Sequence, residues 1–344
     1  MSIVNMSRYL ARMATTTSAL AMLGAATVRA DEVEDFYRGK TLYALVGVSA
    51  GGEYDFQLRL VAKHIGRFIP GKPTIVAQNM TGATGMVMAN YLFRVAPKDG
   101  TYIGLIQNGL PASQAVGMEG VQFDAARFNW LGSIAPTNET MTTWKTTGVK
   151  TIADARKTEL IAGAVGSSGI TLSLPIMLND LVGTRFKMVP GYTGSGQLDI
   201  AMERGEVFAR ANAWSSLKAG KPDWIANHDI NILVHSGPKP ADLAGVPAIE
   251  DLLTNPADKS IVDIVTSGDR LGHPFATAPD VPAKRVEALR KAFETMLGDA
   301  EFLRDAANAK LEVSPVSAET LAGAVRAALD ASPEAKARAR KYFQ

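Results

Sequence analysis

Cysteine is absent from all 344 residues, which excludes disulfides, thiolate metal sites and a lipid anchor carried on cysteine. Histidine is scarce: His64, His228, His235 and His273 lie far apart and show no metal-ligand spacing, so neither a metal nor another cofactor is expected. Beyond the first thirty positions no window approaches the roughly 18 apolar residues of a membrane-spanning helix. An excess of one charge is lacking too. Residues 1–30 contain Arg8, Arg12 and Arg29 and no acid, so without them the formal net charge of +2 becomes −1. A near-neutral chain has no electrostatic footprint for nucleic acid.

The composition is 47% hydrophobic and 20% charged, that of an ordinary globular protein with enough chain for two cores. The arginines near the N-terminus, the apolar and small-residue run Ala14–Ala26 and the small-x-small pattern Val28-Arg29-Ala30 read as a secretory signal peptide. Cleavage after Ala30 is expected, with the mature protein beginning at Asp31 in the periplasm.

The mature chain is organised around Leu42–Asp55. Leu42–Val48 reads as a buried strand, Ser49–Gly52 as a small-residue loop and Glu53 onward as a helix. Leu58, Val61, Ala62, Ile65 and Phe68 put one apolar face on that helix. Unpaired N–H groups at such a junction, with the helix dipole behind them, suit an anion. The pattern recurs three times. Pro73–Gln78 precedes the turn Asn79–Gly85 and a helix over 86–95. Glu159–Val165 precedes Gly166–Gly169 and a helix over 170–181, which Pro175 should kink or delay. Phe186–Val189 precedes Pro190–Gly196 and a helix over 197–204. Further strands are expected at 101–107, 207–211, 230–235 and 274–278, and helices at 283–297 and 318–329. The polar stretch 130–144 reads as an extended crossing and the charged tail 333–341 as a solvated helix end. Strands alternating with helices argue for parallel α/β sheets with ligands at their carboxyl ends.

These stretches resemble the periplasmic substrate-binding proteins of tripartite tricarboxylate transporters, the Bug-type family. The likeness rests on Phe36–Lys40, Gly51–Asp55, Pro70–Pro73, Gln78–Gly85, Ala96–Gly100, Gly191–Gly196, Gly205–Val207 and Val246-Pro247, an ordered set spanning nearly the whole mature chain. It implies a two-lobed type II periplasmic-binding-protein fold, α/β, with two crossing strands and a ligand cleft. The lobes are expected at 31–138 with 234–344, and at 139–233. The resemblance also implies that a small carboxylate is captured and passed to the membrane components of the transporter, by a chain expected to be a monomer. Its first two loops place Ala50, Gly51, Gly52, Tyr54 and Asp55, then Asn79, Gly82, Ala83, Thr84 and Gly85, around one carboxylate. Ser167, Ser168, Gly169 and Thr171 are assigned to the distal end of the ligand, with Tyr192, Asn212 and Trp214 as further contacts. Asp55 either orders its loop or is a plain helix N-terminal acid. Two departures stand out. The family's loops often read Pro-Gly-Gly-Gly and Gly-Ala-Gly-Gly, whereas here they read Ala50-Gly-Gly-Glu53 and Gly82-Ala-Thr-Gly85. Glu53 thus puts a negative charge beside an anion site.

Other classes leave traces. Gly47-Val-Ser-Ala-Gly51 is a G-x-S-x-G, and Asp199 with a later histidine would complete the order of a secreted serine esterase using Ser49. No strand precedes the first one to hold such an elbow, and no His-Gly-Gly-Gly segment is present. No loop ends in Gly-Lys-Ser/Thr. A periplasmic sensor serving a signalling partner would share the binding site.

Overall fold

The computed structural model describes residues 32–165 and 169–343; the expected leader lies outside them. Its strands run in chain order as β1 (Thr41–Val46), β2 (Thr74–Asn79), β3 (Tyr102–Leu105), β4 (Asn129–Ser133), β5 (Glu139–Trp144), β6 (Leu160–Val165), β7 (Phe186–Tyr192), β8 (Ala209–Ala213), β9 (Ile230–His235), β10 (Pro274–Thr277) and β11 (Val316–Ser317). They form two mixed sheets, ordered β11-β4-β10-β3-β1-β2 and β7-β6-β8-β5-β9. β1 lies parallel to β2 and β3, and β6 lies parallel to β7 and β8. The strands that run against the others are β10 and β11 in the first sheet and β5 in the second, where β5 pairs antiparallel with both β8 and β9. This is the expected two-lobed type II architecture.

The pattern dictates the packing. The helix Glu53–Ile65 buries Leu58, Val61 and Ile65 against β1, as its apolar spacing requires. The helix Ala283–Leu297 covers the same core with Leu289, Phe293 and Met296, while Leu321 and Val325 of Ala318–Leu329 close the other face. The helix Ile170–Val182 contains Pro175 but begins at Ile170, ahead of the proline.

Two expectations are corrected. The polar stretch 130–144 is two strands: β4 ends in the first sheet, β5 begins in the second, and only 134–138 crosses. Its threonines fooled a composition argument because Thr140, Thr142 and Thr143 are buried and bond backbone carbonyls. The resemblance puts the whole of 234–344 in the first lobe. Its helices Pro256–Val265 and Pro333–Ala339 instead pack into the core of the second sheet. The tail does so through Ala335 and Ala339 of its helix and Tyr342 of the turn that follows, a stripe at i, i+4 and i+7, while Glu334, Arg338 and Arg340 are exposed.

The two links between the sheets touch. A Cβ on Gly272, before β10, would lie 1.8 Å from the Ala135 carbonyl oxygen, so only glycine permits the contact. Among the described residues no helix is long and apolar enough to cross a membrane.

Candidate functional site

β1 and β2 end side by side, Val46 opposite Asn79, and each releases its loop at the same edge. The loops are in backbone contact: a Cβ on Gly47 would lie 2.3 Å from the Gly85 Cα. The second loop then makes an unusual turn, with φ of +138° at Gly82, +44° at Ala83, +51° at Thr84 and +85° at Gly85. Ala83 and Thr84 are exposed, and a left-handed residue with a Cβ costs about 1–2 kcal/mol. Strain of this kind, unrewarded by packing, is typical of binding loops.

Asp55 shows how the loops are held. Its buried carboxylate accepts the Gly51 N–H at 2.9 Å, the Asn79 Nδ2 at 2.8 Å and the Arg59 Nε at 3.0 Å. Asn79 Nδ2 also donates to the Val48 carbonyl at 2.9 Å, and its Oδ1 accepts from Arg59 at 2.8 Å. With every lone-pair direction engaged, chiefly by Arg59, the Asp55 carboxyl is pushed down to about 2. Asp55 and Asn79 therefore tie the two loops together. Arg59 completes the knot and went unnoticed in the sequence, although an acid and an arginine four apart on a helix face is a readable pair.

At the start of the same helix, Tyr54 packs its ring on His273, centroids 4.4 Å apart, and its hydroxyl accepts the Asn108 N–H at 3.3 Å. The Glu53 carboxylate lies 3.6 Å from the same His273, at Nε2, and accepts from Ser216 Oγ of the helix Trp214–Gly220 at 3.3 Å. A cavity of about 470 Å³ opens beside it, with Gln57, Thr137, Trp214, Lys218 and His273 on its wall. Of the residues expected at the site, Trp214 is the one on that wall. It is buried as the first residue of the helix Trp214–Gly220, with Lys218 Nζ 5.7 Å over its ring.

The remaining expected contacts are spread over the second sheet's edge. Ser167 and Ser168 lie outside the described residues. Gly169 caps the helix Ile170–Val182 with φ +90°, and Thr171 Oγ1 closes onto the Val165 backbone at 3.2 Å. Tyr192 packs against the small core that contains Trp214, and Asn212 is half-buried in β8 opposite Thr140. Beneath these loops Arg210, fully buried in β8, pairs with Asp199 and donates to Ser195 Oγ at 3.3 Å and its carbonyl at 3.4 Å.

That pairing removes the hydrolase arrangement. Asp199 is bound by arginine rather than histidine, Ser49 is exposed, and buried His235 turns its Nδ1 to the Ser236 carbonyl at 3.3 Å. Among the described residues one group, His64, Asp299 and Glu301, has metal-like proximity. Its centre is taken by Arg67, whose Nη2 lies 2.7 Å from His64 Nδ1 and 2.8 Å from Asp299.

No protein-family model matches the chain. A UPF0065 protein of the gbd 5′ region of Cupriavidus necator is 24% identical over 290 residues, covering 80% of this chain and 82% of that protein. Among solved structures, a TctC solute-binding protein from Polaromonas superposes with a TM-score of 0.66 at 14% identity, covering 89% of this chain and 98% of its own. MatC of Rhodopseudomonas palustris with bound malate gives 0.61 at 15% identity, covering 88% and 99%. The fold is thus that of the TctC-type solute-binding proteins, in agreement with the motifs.

Proposed function

We propose that the protein is an extracytoplasmic solute-binding protein that captures a small carboxylate between its two lobes and delivers it to the membrane components of a tripartite tricarboxylate transporter. The observation that carries this reading is the pair of loops at the ends of β1 and β2. They are knotted by Asp55, Asn79 and Arg59 and lead into helix N-termini whose first N–H groups have no intrahelical acceptor. Asp55, its oxygens already engaged, serves here as the organiser of the anion site. Bound malate in a protein of the same fold supports the class of ligand. Periplasmic location, loss of residues 1–30 and a monomeric state belong to the same proposal. So do the lobes, taken as 31–138 with most of 234–344, and 139–233 joined by the helices Pro256–Val265 and Pro333–Ala339.

Gly52 provides the test. Its φ of −88° and ψ of 172° suit any residue, and a Cβ there meets nothing within 4 Å. Gly52→Val should keep the wild-type melting temperature yet bind carboxylates about tenfold more weakly or worse in calorimetry. Equal affinity in the variant would move the ligand away from this loop. Absence of heat and of thermal stabilisation across a broad carboxylate panel would refute the function.

A further inference from the structure

Away from the crossings, one short helix links the lobes. Trp214–Gly220 grows out of β8 and packs Trp214 and Leu217 into the small core of the second lobe. Two of its other side chains reach the first lobe. Ser216 Oγ donates to the Glu53 carboxylate at 3.3 Å, and Lys218 Nζ pairs with Glu312 at 3.2 Å. Glu312 belongs to the first lobe, because its neighbours Leu311 and Val313 pack against the core beneath the helix Glu53–Ile65. Lys218 also pairs with Asp242 at 3.0 Å, and this contact stays within the second lobe, where Leu243 joins the core of Trp214. Glu53 stands where the loops of the resembling family have glycine, which has no side chain to make the first contact.

The seam around these contacts is built to come apart. Both contacts join polar tips that water reaches, so breaking them uncovers no apolar surface. Open space flanks them as well: cavities of about 470 and 630 Å³ each have Glu53, Lys218, Leu311 and Glu312 on their walls. The same seam holds groups that gain from separation. Gln57 Oε1 of the first lobe and Ser215 Oγ of the second are buried on the wall of the smaller cavity, without a hydrogen-bond partner among the described residues. Such atoms are unfavourable until water reaches them. With buried polar atoms pulling one way and exposed polar contacts the other, weak interactions decide which form prevails.

Building on the capture of a carboxylate between two lobes proposed above, we propose that the helix Trp214–Gly220 is an interlobe latch. Ser216 on Glu53 and Lys218 on Glu312 hold the lobes together, while the unpartnered Ser215 hydroxyl beside them opposes closure. Glu53 then serves closure of the cleft rather than contact with the ligand. A contact made in only one of two forms shifts their equilibrium by its own free energy. Exposed polar contacts of this kind are worth about two- to fivefold each in the ratio of closed to open molecules.

The absence of cysteine allows the latch to be read directly and without any ligand. Thr74→Cys and Lys187→Cys put dyes on exposed positions of β2 and β7, edge strands of the two sheets. Single-molecule energy transfer in the chain without residues 1–30 then counts closed and open forms. Ser216→Ala and Glu312→Ala should each lower the closed-to-open ratio about two- to fivefold, and together they should add. Ser215→Ala, the same change one residue earlier on the same helix, should raise the ratio. Asp242→Asn, which leaves Lys218 to Glu312, should not lower it. A ratio unchanged by Ser216→Ala and Glu312→Ala would overturn the latch, as would a labelled wild type with no closed population. A ratio lowered by Ser215→Ala as much as by Ser216→Ala would assign the effect to the helix itself and overturn it too. Each of those results leaves carboxylate binding by the glycine loops standing. A latch that behaves as expected in a chain that binds no carboxylate would refute the function alone.

Discussion

Arg210→Met is expected to lower the unfolding free energy by about 3–5 kcal/mol, the range for removing one partner of a buried ion pair. Arg210 sits in β8 at the centre of the second sheet, opposite Thr142 of β5 and Gly163 of β6, with no solvent exposure. Burial disfavours the charged form of both partners: it raises the Asp199 carboxyl and lowers the Arg210 guanidinium despite their contact. The pair is therefore a poor source of net stability while intact. Removing only the arginine strands the Asp199 carboxylate and two acceptors on Ser195, to which Arg210 donates. Arg210→Met combined with Asp199→Leu should recover most of the loss, because a well-packed apolar pair of similar volume replaces both desolvated charges. Denaturant midpoints of the two single variants and the double variant decide the matter. Equal destabilisation by the double and by Arg210→Met alone would show that the arginine acts through packing rather than charge.

The parts of the fold that could be read in advance were those with local causes. The apolar face of Glu53–Ile65, the buried β1 and the helices Ala283–Leu297 and Ala318–Leu329 follow from periodicity within a single element. The elements misread were those whose partners are distant in sequence. Buried threonines in β5 look like loop residues until β8 and β9 supply their neighbours. The tail Pro333–Ala339 looks solvated until its alanine stripe meets the second core, more than 60 residues away in the chain.

The site divides in the same way. Both glycine loops are visible from their own residues, but for Asp55 the sequence leaves loop-ordering and a plain helix N-terminal acid side by side, and its contact with Asn79 comes from a segment whose proximity one sequence does not show. Which groups would stand around Glu53 was not visible. Gln57 is one helical turn away, but Thr137, Ser216 and His273 come from a crossing, the second lobe and the return to the first sheet. One sequence carries no distances between such segments. Arg210 was the clearest missed signal: a charge inside the short apolar strand Ala209–Ala213 calls for a buried partner.

Where the lobes join, the protein should lose stability as pH rises through neutrality. Glu139 opens β5 at the first crossing and Asp269 stands in the second, and both are buried. Ser236 links them, its N–H donating to the Glu139 carbonyl at 2.9 Å and its hydroxyl to the Asp269 carboxylate. Desolvation is the main cause that raises both carboxyls, and for Glu139 the charges of Asp269 and Glu53 add to it. An acid whose pKa is higher in the folded state holds its proton there after the unfolded chain has released it. Folding then takes up protons, so the unfolding free energy declines with pH. The contribution is intact below the ordinary carboxylate range and is lost as pH rises toward about 8, where Glu139 titrates. Asp55, pushed down to about 2, acts oppositely: its contribution is lost as pH falls below the ordinary range. Stability should therefore peak near pH 4–5 and fall by on the order of 2–4 kcal/mol by pH 8. Glu139→Gln removes one of the two charges without changing shape. It should match wild type near pH 5, exceed it at pH 8 and flatten the slope between them. Melting temperatures of both proteins from pH 4 to pH 9 measure this directly. A wild-type profile that rises or stays level from pH 5 to pH 8, with Glu139→Gln following it, would show that the two acids ionise freely in the folded protein.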